Sequence, residues 1–420
     1  MDEKIVDRHP TNRGRTVPHG LVFIGFIAGF DSMSMRQIVS IPGIRPLLFT
    51  MFLSSMGFGI ILPLLPFYAL SLGAQPFELG ILTATFALMS LLFSPFFGRL
   101  GDRMGRTKVL LIGTLGFMVS YLVFAYADSF LMALVARALE GFFAAAIFPA
   151  VISLLSDFTS HEQRGPAMGL MMMTFSVGFI FGPALGGFAS AGSVRDAFLV
   201  AAGFSLLNFL WILFRLKEPK EKEESKHLPE KEASLLSHLS TPLAFLFLSS
   251  TVVMFLIGGF EATMALFLSE KLSFTSVEMG LVFTFVGALM MILQPITGNF
   301  INRFGELRMI QAGLLFSTAG FFLILFASDW NTLLIPLGFF VIGNSCVFPS
   351  VTSLLTKRVA GKQGAVIGLN QSFSSAGQII GPLFGGFLYG LDHSFSFIGI
   401  ALVALLYFLV FTFVAKKKLE

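Results

Sequence analysis

The sequence predicts an all-α membrane protein with twelve transmembrane helices in two pseudo-symmetric six-helix bundles. The chain contains an internal repeat: residues 57–187 recur, 200 positions later, between 257 and 386, so that Phe148-Pro149 returns as Phe348-Pro349. Long apolar runs without a charge fill both copies, and a helix that crosses a bilayer needs about 20 such residues. Hydrophobic residues make up 55% of the chain and charged residues 12%, well below the charged share of soluble proteins.

Twelve apolar segments give the predicted spans, six in each half. In lipid each segment must be helical, because no water is present to satisfy a bare backbone. Six is an even number, so both copies enter the membrane from the same side, as in transporters built from parallel repeats. The predicted spans are 46–70, 79–98, 109–127, 130–155, 166–190 and 197–215, followed by 241–269, 279–299, 309–327, 331–355, 365–390 and 394–415.

The placement of lysine and arginine predicts the orientation. Of 28 such residues, Arg137 lies within a predicted span, Arg195 and Lys271 fall in loops on one side, and the rest lie on the other side. The positive-inside rule places these basic loops and both termini in the cytoplasm, and we expect a multi-pass protein of the plasma membrane. The net charge of +4 follows from this placement and predicts no nucleic-acid partner.

The spans divide the chain into regions, two of which have alternative interpretations. The run from Leu216 to Ser237 mixes five lysines, six glutamates and two prolines, which is typical of a solvated linker, or else of a docking site for a partner. Gly20–Phe30 is apolar but too short to span, so we expect it to lie on the surface; the alternative is an over-extended start, with Met33 or Met35 as the initiator. The regions are an N-terminal extension (1–45), a bundle (46–215), a cytoplasmic linker (216–240), a second bundle (241–415) and a cytoplasmic tail (416–420).

A glycine-rich basic loop, Gly98-Arg-Leu-Gly-Asp-Arg-Met-Gly-Arg-Thr-Lys108, joins the second and third predicted spans. Its glycines permit a tight reversal, its aspartate can accept from a helix N-terminus, and its basic residues can anchor at lipid headgroups. The loop resembles the signature loop of the major facilitator superfamily, which implies that superfamily's fold over about 46–415. A basic turn that only sets topology is the alternative. In the family the aspartate helps to latch the outward-open state, which implies a conformational latch made of Gly98, Gly101, Asp102, Arg103, Gly105 and Arg106.

Two predicted spans, the fifth and the eleventh, carry a stripe of glycines around a proline. A spacing of four puts Gly178, Gly182 and Gly186 on one helix face, where a neighbouring helix can approach closely. The run resembles the Gly-Pro motif of the drug/proton antiporter branch. Because both halves contain it, packing that seals a cavity is the simpler explanation, and a specific antiport role is the alternative. The residues are Gly178, Gly182, Pro183, Gly186 and Gly187, with Gly377, Gly381, Pro382 and Gly385 in the second half.

The fourth predicted span contains Arg137 and Glu140, which share a helix face and can pair. An intramembrane charge costs about 2.5–3.5 kcal/mol on insertion scales, so it normally faces a cavity and has a function. The run resembles the family's Arg-x-x-Gln-Gly motif, with Glu140 replacing the amide, which implies a role in proton transfer. The aligned residues of the tenth span carry no charge, so the pair is asymmetric; a purely structural ion pair is the alternative.

Glu261, in the seventh span, is the only other acid deep in a predicted membrane segment, and its repeat counterpart is Ile61. In the superfamily spans one, four, seven and ten line the cavity, which implies that Arg137, Glu140 and Glu261 face one water-filled chamber. Since a guanidinium favours the charged form of a neighbouring carboxylate, we expect Glu261 to carry the proton and Glu140 to remain the better-held anion. A helix-interface role for Glu261 is the alternative.

The first predicted span resembles that of the tetracycline efflux pumps, but Ser54 stands where those proteins carry an aspartate, so tetracycline is a doubtful cargo. Some of the 52 phenylalanines can form an adaptable wall for a substrate. Polar residues of the spans are further candidates for the substrate cavity, although hydrogen bonding between helices is the commoner role. These candidates are Ser54, Gln294, Asn344, Asn370 and Gln371.

Together these features predict a secondary active transporter, a monomer that exports small amphipathic compounds by proton antiport with alternating access. Its partners would be a small-molecule substrate, protons and the bilayer, with no cofactor and no metal. Walker, hydrolase and zinc-type motifs are absent from the sequence, so no enzyme is expected, and the single Cys346 excludes an intramolecular disulfide. The alternatives are an exporter or facilitator of a metabolite, sugar or lipid without proton coupling, and a non-transporting receptor or scaffold.

Overall fold

The computed structural model describes residues 32–219, 241–358 and 363–415, and within these ranges the chain forms helices and no strand. The predicted surface segment 20–30, most of the predicted linker and the tail 416–420 lie outside the described residues. The helices are α1 (Ser32–Ser40), α2 (Ile44–Ile61), α3 (Leu65–Ser71), α4 (Pro76–Met104), α5 (Arg106–Ala125), α6 (Phe130–Phe158), α7 (His161–Ala189), α8 (Val194–Arg215), α9 (Thr241–Leu272), α10 (Ser276–Phe304), α11 (Glu306–Ile324), α12 (Trp330–Arg358), α13 (Gln363–Leu391) and α14 (His393–Val410), and a π-helical turn (Phe411–Ala415) follows α14.

Most of the long helices meet the requirements of a membrane span. Among the described residues, eleven helices are long and apolar enough to cross a bilayer. The remaining predicted span, the eleventh (365–390), corresponds to α13, which has 29 residues but contains several serines, glutamines and glycines. Because α13 packs against helices on several sides, it does not need an apolar surface all around.

The first predicted span, 46–70, is divided in the structure. Helix α2 ends at Ile61 and α3 begins at Leu65. Pro63 lies between them and Pro66 follows; neither has a backbone N–H to continue a helical ladder. The hydroxyl of Tyr68 donates to the carbonyl oxygen of Ala127 at 2.9 Å, which holds α3 against the end of α5. The continuous apolar run thus forms two helices rather than one.

The two halves repeat the same packing. Helix α7 packs on α2 as α13 packs on α9, and α6 packs on α5 as α12 packs on α11. Likewise α8 packs on α5 as α14 packs on α11. The sequence repeat is therefore a repeat of tertiary structure, and the buried apolar residues of the two bundles form one continuous core.

Contacts between the halves lie where α4 and α10 begin and where α7 and α13 end; we call this end the sealed face. Gly80 lies against the carbonyl oxygen of Pro382, and Gly280 lies against that of Pro183. The hydroxyl of Ser190 also donates to that of Ser276 at 2.7 Å.

The opposite end carries the loops around 98–108 and 299–308, and we call it the basic face. There Gly98 on α4 and Gly298 on α10 have no neighbouring atom within 4 Å of the position a Cβ would take. Among the described residues, the hydrogen bonds between the two halves lie in the part of the helices nearer the sealed face, so the bundles are closed against each other at that end.

Candidate functional site

Arg137 and Glu140 form a buried ion pair on α6. The Nη1 of Arg137 donates to Oε2 of Glu140 at 2.7 Å, and their side chains are 2% and 0% exposed. The guanidinium also lies 4.6 Å from the centre of the Phe86 ring on α4. The three-residue spacing brings these charges onto one helix face, and the low exposure leaves them little contact with solvent.

This pair retains unused hydrogen-bonding capacity. Among the described residues, Nε of Arg137 has no hydrogen-bond partner. The hydroxyl of Tyr121 lies beside the Glu140 carboxylate, close enough to donate to it. Buried polar atoms in native proteins are nearly always bonded. The unused N–H of Arg137 is therefore available to a polar acceptor group of a cargo.

Glu261 on α9 completes the group of charges from the opposite half. Its carboxylate is close enough to Arg137 to interact with it electrostatically, and its side chain is only partly buried. Arg137 is thus flanked by one carboxylate from its own helix and one from the other bundle. The arrangement joins the two halves electrostatically.

The corresponding position in the second half is apolar. At an offset of 200 residues, Leu337, Phe340 and Phe321 stand where Arg137, Glu140 and Tyr121 stand in the first half. The ring of Phe340 stacks on Phe260 at 4.5 Å and meets Phe321 edge-on at 5.4 Å. Since aromatic packing fills this position equally well, the fold does not require the charges.

A row of phenylalanines runs from the ion pair toward the basic face. The Phe86 ring lies 5.3 Å from that of Phe58, which lies 6.4 Å from Phe179. Beyond it, Phe175 lies 6.0 Å from both Phe179 and Phe148. These rings come from α2, α4, α6 and α7, and their contacts make a continuous aromatic wall, hereafter the phenylalanine wall.

Two of the predicted cavity residues are held by nearby groups. Ser54 is 8% exposed, and its hydroxyl accepts a hydrogen bond from Nδ2 of Asn208 on α8 at 2.9 Å. Asn344 is 3% exposed, and its Nδ2 donates to the carbonyl oxygen of Phe340 at 2.9 Å. Ser54 therefore joins two helices, whereas Asn344 bonds within its own helix and its Oδ1 has no partner among the described residues.

The remaining polar candidates lie on α10 and α13. Oδ1 of Asn370 accepts from the hydroxyl of Ser250 on α9 at 2.7 Å, so this residue also joins two helices. Gln294 and Gln371 keep exposed side chains. Of the five candidates, these two glutamines are the ones that remain accessible.

The glycine stripes pack helices together within each half. A Cβ on Gly182 would lie 2.7 Å from the carbonyl oxygen of Met56, and Gly381 lies against the carbonyl of Phe255 in the same way. Close approach of α7 to α2 and of α13 to α9 thus requires residues without a side chain. The same holds for Gly178, Gly186 and Gly377, whereas a Cβ on Gly385 would lie 3.2 Å from the side chain of Thr263 on α9. Gly187 and the carbonyl oxygens of Pro183 and Pro382 face the opposite half.

The predicted latch lies at the turn between α4 and α5. Gly105 has a φ of +98°, which favours glycine. Asp102 is 71% exposed, and its carboxylate lies 3.6 Å from Arg106 in the same turn. Arg106 in turn pairs with Asp157 at the end of α6 and donates to the carbonyl oxygen of Ser153 at 3.2 Å. Gly98, Gly101 and Arg103 lie on the last turns of α4 beside these residues.

Glu218, just after α8, caps this turn and was missed by the sequence analysis, which placed it in the linker. Its carboxylate accepts from the backbone N–H of Arg106 at 2.7 Å and from that of Thr107 at 2.9 Å. A carboxylate at a helix N-terminus satisfies otherwise unpaired N–H groups and complements the helix dipole. The signal in the sequence was that α5 follows a glycine, which has no side chain to cap it.

The second half contains a charge-reversed version of the Arg106 pair. Glu306, 200 residues after Arg106, pairs with Lys357, 200 residues after Asp157. Its carboxylate also accepts from the hydroxyl of Ser353 at 2.9 Å. Each bundle thus ties the start of its third span to the end of its fourth by an ion pair, with the signs exchanged.

Comparisons with known proteins agree with this architecture. A family model described as Major Facilitator Superfamily matches residues 47–275 and 246–420. Multidrug resistance protein 1 of Bacillus subtilis (strain 168) is 32% identical over 355 residues, which cover 84% of this chain and 90% of that protein. Quinolone resistance protein NorA of Staphylococcus aureus (strain COL) is 31% identical over 348 residues, covering 82% of this chain and 89% of that protein.

Solved transporter structures share the fold. The human organic anion transporter MFSD10 (TETRAN) superposes with a TM-score of 0.65 at 23% identity, covering 88% of this chain and 98% of that one. The nucleoside transporter NupG superposes with a TM-score of 0.75 at 14% identity, again over 88% and 98% of the two chains. These likenesses confirm the predicted fold class.

Proposed function

The chain belongs to the major facilitator superfamily, as the resemblance of its signature loop predicted, and on this premise we propose that it exports small amphipathic compounds in exchange for protons. Its similarity to proteins named for multidrug and quinolone resistance extends over more than four fifths of its length. The observation that carries proton coupling is the position of Arg137 between Glu140 and Glu261, two carboxylates from opposite bundles.

The proposed topology places the basic face and both termini in the cytoplasm, in the plasma membrane. It rests on the asymmetric distribution of lysine and arginine. With this orientation the sealed face is the outer face, and the space between the bundles opens inward. The structure then represents the stage at which cargo enters from the cytoplasm.

In the proposed mechanism Glu261 carries the proton and Glu140 keeps Arg137 in place. A proton that reaches Glu261 from outside removes one negative charge near Arg137, which weakens the attraction for a cationic or polar group of the cargo. After the transporter opens inward, Glu261 loses the proton to the cytoplasm and the attraction returns. A chamber of low dielectric strengthens both effects relative to water.

The phenylalanine wall gives the chamber its preference for apolar and aromatic cargo. Aromatic rings bury large apolar area with little loss of side-chain freedom, and their faces attract cations. Two carboxylates against one guanidinium leave the chamber with a net negative charge when both acids are ionised. The expected cargo is therefore a flat, amphipathic compound, neutral or cationic.

The test is a substrate panel in proteoliposomes containing the full-length protein. A fluorescent lipophilic cation, a neutral analogue and an anionic analogue are each followed with and without a proton gradient. We expect the gradient to accelerate movement of the cation and the neutral compound against the proton flow. Transport that ignores the gradient would instead support an uncoupled exporter or facilitator, and no transport of any compound would favour a receptor or scaffold.

The first prediction concerns the proposed latch. Replacing Asp102 with Asn should slow turnover by roughly 5- to 150-fold, the range of a conformational coupling of about 1–3 kcal/mol, while substrate binding stays near normal. The reason is that Asp102 lies far from the chamber, at the turn after α4, and acts on the conformational equilibrium. Binding and turnover are measured on the same preparation, and a parallel loss of both would place Asp102 at the substrate.

The second prediction concerns closure of the sealed face. A valine at Gly80 would overlap the carbonyl oxygen of Pro382, and overpacking of this kind costs about 1–3 kcal/mol. We therefore expect Gly80→Val to shift the protein toward conformations open at the sealed face and to slow transport. Distances between spin labels at Phe77 and Phe387, whose rings are 6.3 Å apart in the closed arrangement, should increase.

The chain offers a matched control for this experiment. Gly203 lies on α8, outside the latch and the contact between the halves, and a Cβ there meets no atom within 4 Å. Gly203→Val should leave the label distance unchanged. The labels are introduced in a Cys346→Ser background, since this buried cysteine is the only one in the chain. An unchanged distance in Gly80→Val would show that this contact does not govern closure.

A further inference from the structure

A groove of about 390 Å³ runs along the part of α4 nearest the basic face. Its lining residues recur at intervals of three and four positions, so they form one stripe on the helix. Toward the middle of the helix the stripe is apolar, and toward the basic face it carries two arginines. The residues are Leu92, Pro95, Phe96, Arg99, Leu100 and Arg103.

This stripe is not the surface by which α4 packs in the protein. On α4, Phe93 and Phe97 contact the ring of Phe142 on α6 at 4.7 and 5.0 Å, and Gly80 contacts α13. The stripe lies on the side of the helix turned away from both contacts. Leu92 and Phe96 are accordingly 59% and 52% exposed. In a membrane protein, such an exposed apolar surface meets lipid.

The length of the groove matches one leaflet. From Leu92 to Arg103 the helix rises about 16 Å, and one leaflet of hydrocarbon is about 15 Å thick. Arg103 is the residue before Met104, where α4 ends at the basic face. When the arginines stand at the level of the headgroups, the apolar part of the groove therefore spans the depth of a single acyl chain.

The two guanidiniums in the groove are not neutralised by the protein. Within the described residues, the ion pairs involve neither Arg99 nor Arg103. The nearest acid in the sequence, Asp102, lies 3.6 Å from Arg106, and Arg106 also pairs with Asp157. The groove thus carries a charge of +2, and the acids next to it are engaged by Arg106.

We propose that this groove binds one anionic glycerophospholipid from the leaflet at the basic face. Its phosphate and headgroup anion would be held by Arg99 and Arg103, since guanidinium forks match phosphate oxygens and basic residues attract anionic headgroups. One acyl chain would lie along Leu92 and Phe96. This site is separate from the transport chamber and does not depend on the proposed cargo.

The second half provides an internal comparison. The repeat places Ile292, Ile296 and Phe300 at the apolar positions of the stripe, but Asn299 replaces the first arginine. The guanidinium of Arg303 lies 5.4 Å from the centre of the adjacent Phe304 ring. The apolar half of the site is therefore duplicated, whereas the pair of guanidiniums belongs to the first half.

Native mass spectrometry of the purified full-length protein tests the proposal. The protein is titrated with phosphatidylglycerol and, separately, with phosphatidylcholine of the same acyl chains. We expect one phosphatidylglycerol molecule to bind more tightly than any further phosphatidylglycerol molecules. It should also bind more tightly than phosphatidylcholine. Arg99→Gln should weaken that binding by about fivefold, the effect of one basic residue near an anionic surface. Arg99→Lys keeps the positive charge but not the planar guanidinium group, so it should weaken phosphatidylglycerol binding less than Arg99→Gln does.

Two variants separate this site from general attraction of anionic lipid to a basic surface. Arg308→Gln removes the same charge from an exposed position at the basic face and should leave the tight binding intact. Asn299→Arg restores the second guanidinium in the second half and should create a second tightly bound phosphatidylglycerol. Equal losses in Arg308→Gln and Arg99→Gln, or equal binding of the two lipids, would overturn the proposal. Because lipid binding is measured without transport, the result is independent of any latch function of this turn.

Discussion

Replacing Glu261 with Gln is expected to abolish pH-driven efflux while leaving folding and membrane insertion intact. Glutamine has the size of glutamic acid but cannot exchange a proton. Glu261 has no acidic counterpart in the first half, where Ile61 occupies the repeat position, so the fold does not need an acid there. Its electrostatic contact with Arg137 makes its charge the one that changes the balance between the two bundles.

The measurement compares two modes of transport in proteoliposomes. Efflux driven by a proton gradient should fall in Glu261→Gln to the rate seen without a gradient. Exchange of labelled for unlabelled substrate needs no net proton movement and should continue, at a higher substrate concentration, because glutamine matches the protonated, weaker-binding form of Glu261. This split distinguishes loss of proton transfer from loss of the substrate site, in which both modes would fail.

A matched control lies on the same helix. Glu270 accepts a hydrogen bond from the hydroxyl of Tyr389 at 2.7 Å, near the end of α9 at the sealed face. Glu270→Gln keeps an oxygen that accepts this bond, so coupling should be preserved. Full pH-driven transport by Glu261→Gln would contradict the assignment of Glu261 as the proton carrier.

The fold was predictable because its determinants are repeated along the chain. Apolar runs and basic loops are local signals, and a repeat with a constant offset pairs each helix with its counterpart. The break between α2 and α3 was missed because Pro63 and Pro66 lie within an otherwise continuous apolar run, which in lipid predicts one helix. Proline lacks the backbone N–H that the hydrogen bonds of an α-helix require. Here one helix ends and another begins, whereas a kinked helix would have continued through the proline.

The site was predictable only where its residues are close in sequence. Arg137 and Glu140 are three positions apart, so helix geometry alone places them side by side. The proximity of Glu261 to Arg137 depends on contact between the bundles, and the family resemblance was the basis for expecting it. Glu218 and Arg106 lie 112 positions apart, and the sequence contains no local sign that the one caps the helix of the other.

The polar candidates show a different limit of the sequence. Ser54 and Asn370 looked available because a polar side chain in an apolar segment needs a partner, and cargo is one kind of partner. In the structure neighbouring helices supply it, through Asn208 and Ser250. A single sequence shows which buried polar side chains require a hydrogen bond, but it does not show which group provides that bond.

The last prediction concerns the buried pair itself. Removing one member of a buried ion pair leaves an uncompensated charge and costs about 3–5 kcal/mol, whereas replacing both members can be nearly neutral. Glu140→Gln should therefore lower thermal stability more than the double variant Arg137→Leu with Glu140→Leu. The reason is geometric: the two groups are 2.7 Å apart and almost fully buried, so water cannot replace the lost partner.

Glu261 provides a way to test whether the stranded charge is the cause. In Glu140→Gln the carboxylate of Glu261 still interacts with Arg137 and offsets part of the loss. Combining Glu140→Gln with Glu261→Gln removes both acids, so this variant should have the lowest melting temperature of the series. Adding Arg137→Leu to it removes the stranded cation and should restore stability.

Melting temperatures are measured by intrinsic fluorescence on the purified protein in one detergent, and transport is measured on the same variants. All variants that lack Glu140 should lose coupled transport, because Arg137 then has no fixed partner on α6 to hold its guanidinium against the Phe86 ring. If Glu140→Gln is instead more stable than the double leucine variant, the pair is not a significant source of stability. Glu140 would then act directly on cargo or proton through its carboxylate.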